Sequence, residues 1–183
     1  FEDRINALDL KTPASIDDDI WSVNVTDRGV SIVDFSVFDK ESFCITGEAT
    51  INYDNETIYI SHKTLAKILF VGIVSGISNR SAMIVAALHS IKILFYYLTE
   101  RRSHVLEVNE IEPFLCFCLL NDMEGAELKA LISPHSYNNR PILTHLRKIK
   151  STLYRYGVSG VIGEFPDSEL NIKMNSACEA MLD

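Results

Sequence analysis

The sequence predicts an α+β protein, with a small antiparallel β-rich unit over residues 1–60 followed by a mainly helical bundle over 61–183. Three observations predict it. Apolar residues alternate with period two over the first sixty positions, and the period changes to that of helices from Ser61 onward. Charge divides at nearly the same place. Residues 1–61 carry thirteen acidic and four basic side chains, a net of −9, whereas residues 62–164 carry eight acids against twelve bases, a net of +4. The tail, 165–183, returns to −3, which closes on the whole-chain value of −8.

Each element follows from local chemistry. Ile20 to Val25 alternates, with Trp21, Val23 and Val25 on the inward side of a strand. Asp27-Arg28-Gly29 is turn chemistry, Gly29 being free to take positive φ. Val30 to Phe38 alternates again and returns as the second strand of a hairpin. Ile45 to Ile51 and Thr57 to Ile60 flank the Asp54-Asn55-Glu56 turn and complete a sheet of three or four strands. Ser61 is the N-cap of a helix running to about Ser75. Gly76 to Asn79 breaks it, and Ser78 or Asn79 caps a long helix from Ser81 to about Arg102. Met83, Ile84, Ala87, Leu88, Ile91, Leu94, Phe95 and Leu98 form its core stripe.

Asn109 opens a further helix through Leu120, a short helix spans Glu124 to Ile132, and Ser133 to Asn139 is a loop. Pro141, at a first helical position, opens a helix to about Tyr156. After the glycine-rich stretch Gly157 to Pro166, Asp167 or Ser168 caps a last helix. Short connections favour antiparallel packing of about five or six helices.

Composition narrows the class. With 47% hydrophobic and 23% charged residues the chain can bury a core, so it is not disordered. The longest apolar stretch, Ile68 to Ile77, is shorter than the roughly 20 residues a bilayer span needs, so the expectation is a soluble, cytoplasmic protein without a membrane. The start at Phe1 and the stop in an apolar helix read as a piece of a longer chain. On a helix Cys116 and Cys118 point about 200° apart and cannot share an ion, so the cysteines read as free thiols and no metal is expected.

Catalytic motifs are incomplete. His145 is followed three places on by Lys148, with no nucleophile converging nearby, and reads as a solvated helix face. Val74-Ser75-Gly76 and Val158-Ser159-Gly160 lack the flanking glycines of a nucleophile elbow. Gly157, Gly160 and Gly163 lack the strand and lysine of a phosphate loop. The run Asp17-Asp18-Asp19 reads as solvated. No catalytic residue, cofactor or small-molecule substrate is expected.

The basic residues pattern better. Lys63 and Lys67 are four apart and share a helical face. Ser78, Asn79, Arg80 and Ser81 open a helix whose free amides and hydroxyls make a seat for phosphate. Arg147, Lys148 and Lys150 form a second cluster between Arg140 and Arg155. These nine residues, Lys63, Lys67, Ser78, Asn79, Arg80, Ser81, Arg147, Lys148 and Lys150, are the candidate contacts to a duplex phosphate backbone.

Ser78-Asn79-Arg80-Ser81 before the long helix, the run Leu88 to Leu98 with Lys92, Phe95 and Tyr96-Tyr97, and Val108 to Leu115 together resemble the core-binding domain of tyrosine recombinases, the phage-type integrases. The front sheet, with Trp21 and Val33-Asp34-Phe35-Ser36, is similar to the N-terminal region of some long members, and the likeness covers about residues 20–156. The resemblance implies a SAM-like core-binding bundle that grips double-stranded DNA while a separate C-terminal domain cuts it. That domain's arginine, lysine, His-x-x-Arg pair and tyrosine map to nothing here, so the implied role is the non-catalytic front of a recombinase. The acidic unit departs from the family's basic arm and is expected to contact a neighbouring protomer on the DNA. The alternative is a helical protein-interaction or regulatory module without DNA binding.

Overall fold

Trp21 anchors the front of the molecule, fully buried, with its ring edge-on to Phe35 at 4.8 Å and to Phe70 at 6.1 Å between centroids. Its indole N–H donates to the Asp18 carbonyl at 3.0 Å, so the buried polar handle is satisfied. The computed structural model describes residues 2–43, 49–53, 55–75, 79–101, 106–119, 141–159 and 161–180. Among these the fold is α+β, with six α-helices and two small antiparallel sheets.

A short helix α1 (Glu2–Asn6) precedes the hairpin β1 (Ile20–Val25) and β2 (Gly29–Asp34), paired from Ile20↔Asp34 to Val25↔Gly29. Trp21, Val23 and Val25 face inward as the alternation predicts, and Gly29 takes φ +78° in the turn. The second strand is shorter than expected. Asp34 caps a 3-10 turn, Phe35–Asp39, by accepting from Ser36 N–H, which rotates Phe35 and Phe38 together into the core.

β3 (Ala49–Tyr53) and β4 (Glu56–Ile60) form the second hairpin, with Asn55 at φ 64° in its turn. Ile45 to Glu48 lie outside the described residues. The expected single sheet is in fact two, because β3 takes its other neighbour from the far end of the chain. β5 (Val158–Ser159) pairs with it through Ile51↔Val158 and Thr50↔Ser159. No local pattern in a two-residue strand announces such pairing.

The helices are α2 (His62–Val74), α3 (Ser81–Glu100), α4 (Ile111–Leu119, entered through a 3-10 turn Val108–Glu110), α5 (Pro141–Arg155) and α6 (Asp167–Ala180). Ser61 caps α2 as expected, its Oγ accepting from Thr64 N–H at 3.1 Å. α2, α3 and α5 pack on one another, and α4 packs on α6. The expected helix at 124–132 lies outside the described residues. α3 is the one described helix long and apolar enough, by length and composition, to cross a bilayer. Its side from Ile84 to Leu98 is buried in the protein, though Met83, expected in the core stripe, is 43% exposed.

One hydrophobic cluster runs through the front and the helices alike, from Ile5 and Trp21 to Leu170 and Met174. The change at residue 60 is thus a change of secondary structure across a continuous core. Gly72 marks a close approach of α2 and α5: a Cβ there would lie 2.0 Å from Thr152 Oγ1 on α5.

Candidate nucleic-acid interface

The candidate residues meet different fates. Lys63 Nζ is held by Asp19 at 2.9 Å and by Asp39 at 3.0 Å. Lys67 is 2% exposed, its Nζ bonded to the Ile16 carbonyl at 2.7 Å and to Asp19 at 3.0 Å. Asp19 is held below the usual carboxylate range by the hydrogen bonds from these two lysines. This corrects the expectation that Lys63 and Lys67 face a duplex. Their common helical face is real, but it points at the chain's own acidic front, and the two ammonium groups bind the hairpin region to α2.

The phosphate seat at the mouth of α3 is occupied too. Asp27, from the β1–β2 turn, accepts from Ser81 N–H at 2.9 Å and from Ser81 Oγ–H at 2.6 Å. These bonds lower the Asp27 carboxyl below its ordinary value. Asn79 contributes only its backbone carbonyl, which accepts from Thr26 N–H at 2.8 Å. Arg80 stands at the N-cap position with its side chain exposed and no side-chain capping bond, and Ser78 lies outside the described residues. Arg80, and not Ser78 or Asn79, is the N-cap residue, and an internal carboxylate occupies the helix terminus where a phosphate was expected. Asp27 and Ser81 are 54 residues apart, and nothing in the sequence pairs them.

α5 is different. Its fifteen residues contain no Asp or Glu and four cations, Arg147, Lys148, Lys150 and Arg155. Ile142, His145, Leu146, Ile149, Thr152 and Leu153 are buried, while Thr144, Arg147, Ser151, Tyr154 and Arg155 are exposed. At about 100° per residue those exposed positions fall within one arc of the helix. Arg147 donates to the neutral Asn171 Oδ1 from Nε at 3.1 Å and from Nη2 at 2.7 Å, so it is oriented without losing its charge. Lys148 Nζ donates to the Ile73 carbonyl at 3.0 Å, a cation at the C-terminal end of α2. Lys150 is ion-paired with Asp167, whose side chain is 80% exposed, a pairing that surface solvation keeps weak.

Two features went unseen in the sequence. Ser90 Oγ and His145 Nδ1 lie 2.6 Å apart between α3 and α5. Ser90 is 1% exposed, so the pair is closed to any substrate and serves the core. His145 is therefore a buried helix contact and not the solvated face residue the sequence implied. Tyr154, 91% exposed, could have been found from its helical spacing to Arg147 and Ser151. Cys118 is wholly buried and its thiol is pushed well up by desolvation. Among the described residues no three His, Cys, Asp or Glu side chains converge on a metal position. No protein-family model matches the chain, and neither does any curated protein or solved structure.

Proposed function

We propose that this chain is a DNA-backbone-binding module that grips a duplex through the outer face of α5. The observation that carries the reading is an acid-free helix exposing Arg147, Ser151 and Arg155 together, with Lys148 and Lys150 at its flanks. Guanidinium groups suit phosphate because their planar donors match its oxygens, and Ser151 adds a neutral donor between them. Such contacts position a protein and read no sequence. The reading agrees with the resemblance to the core-binding front of tyrosine recombinases, a SAM-like bundle acting beside a cutting domain and beside neighbouring protomers on the DNA in the cytoplasm. The grip is narrower than the sequence implied, resting on one helix. Arg147, Lys148 and Lys150 remain of the candidate contacts, and Arg155 joins them.

Fluorescence anisotropy of a short labelled duplex, titrated over a salt series, tests it. Affinity falls steeply and log-linearly with salt if phosphates displace counterions. Absence of binding at low salt, or affinity indifferent to salt, contradicts the proposal.

A second reading, a protein-interaction module, draws on β4. It is an edge strand of its sheet among the described residues, and it exposes Ile58 at 46% and Tyr59 at 67%. A stable oligomer by light scattering, with no retention of DNA, favours this reading over the first.

A further inference from the structure

Beside the basic face of α5 lies a cleft of about 790 Å³, between the end of that helix and the segment leading to α6. Its volume is in the range of about 300–1,000 Å³ usual for small-ligand sites. Leu153, Ile162 and Phe165 give it apolar walls, and Tyr154 stands at its edge. Lys150 is shared by cleft and helix face, its Nζ 5.5 Å from the centre of the Phe165 ring. The polar lining includes two carboxylates, Glu164 and Asp167.

This lining selects its occupant. Lys150 is paired with Asp167 within the lining, so Glu164 is the carboxylate turned to a ligand, and it repels a phosphate while the one lysine is already engaged. A flat group with apolar faces and hydrogen-bond donors on one edge suits it, and phosphates on α5 would deliver such a group to its mouth. We propose that the cleft receives an unpaired nucleobase from a strand whose phosphates lie along Arg147, Ser151 and Arg155, and that it prefers bases carrying an exocyclic amino group. The base packs against Tyr154 and the side of Phe165 turned away from Lys150, as unpaired bases do on aromatic side chains. Its amino group donates to Glu164, as cytosine N4 donates to acidic side chains elsewhere. Thymine turns two carbonyls toward this carboxylate and is disfavoured. A base locked in a duplex cannot enter. The inference rests on the backbone-grip reading and adds to it a preference for melted or single-stranded sites.

The test compares labelled oligo(dC), oligo(dT) and a duplex by anisotropy, using the whole chain and the variants Glu164→Ala and Phe165→Leu. Oligo(dC) is expected to bind about tenfold more tightly than oligo(dT). Glu164→Ala brings the two together, and Phe165→Leu weakens oligo(dC) by about fivefold or more, while duplex binding stays unchanged in both. Circular dichroism verifies that the variants fold, and Glu164→Ala, an exposed change, keeps the test decisive if Phe165→Leu does not. Salt-dependent duplex binding with equal affinity for oligo(dC) and oligo(dT), or with neither variant altering their ratio, overturns the cleft proposal and leaves the grip standing. Failure of all three nucleic acids to bind overturns both. Free deoxycytidine binding as tightly as oligo(dC) overturns the assignment to a strand.

Discussion

Ser90 Oγ and His145 Nδ1 share a hydrogen bond of 2.6 Å, fastening α3 to α5 directly behind the exposed basic face. Burial, with Lys148 and His89 nearby, lowers the His145 imidazole from its ordinary value to about 4. The unfolded chain takes up this proton near the ordinary value, so between the two values the unfolded state binds more protons. The resulting stability is complete above the ordinary value and is lost as pH falls toward 4. Urea unfolding should show the protein about 2 kcal/mol less stable near pH 5 than near pH 7. His145→Leu should remove that slope. A variant that keeps it would show that the titrating group lies elsewhere.

Asp19 joins Lys63 and Lys67, and its loss should be felt in stability. Asp19→Ala leaves the buried Lys67 ammonium with one carbonyl partner, and the expected cost is about 2–3 kcal/mol in denaturant unfolding. Lys67→Met, which keeps the volume and removes the charge, should cost less than Asp19→Ala. A neutral Asp19→Ala would mean that the ammonium finds water.

Gly72 gives a prediction whose sign is the opposite of helix propensity. Alanine in a helix is favoured over glycine by about 1 kcal/mol. Here its Cβ would fall 2.0 Å from Thr152 Oγ1 and 2.8 Å from Thr152 Cβ, so the helices must part. Gly72→Ala should destabilise by about 1–3 kcal/mol in thermal unfolding. Adding Thr152→Ala should recover part of the loss, because it removes the two closest atoms but not the third. A gain in melting temperature for Gly72→Ala alone would exclude the close approach.

Local patterns were legible because local physics decides them. Trp21, Val23 and Val25 alternate, Ser61 caps its helix, and Gly29 turns the first hairpin, each within a few residues of its cause. What the sequence could not show depends on distant partners. Val30 to Phe38 alternates as a strand, yet Asp34 turns it into a 3-10 bend that seats Phe38 against Phe95. The cations divide in the same way. Lys67 and Arg147 look alike in sequence, but one points at Asp19 and the other at the neutral Asn171, and only the fold brings those partners into reach. The charge segregation thus has a structural use, since part of the acidic front neutralises lysines of α2.

The claim that α5 alone carries the grip is tested most directly by two double variants measured on one duplex over a salt series. Arg147→Ala with Arg155→Ala should weaken binding for every sequence tried and lower the salt slope by about two. Lys63→Met with Lys67→Met, made in the internally paired residues, should leave the slope unchanged in protein that remains folded. The reverse pattern, with the slope set by Lys63 and Lys67 and indifferent to Arg147 and Arg155, would contradict the account.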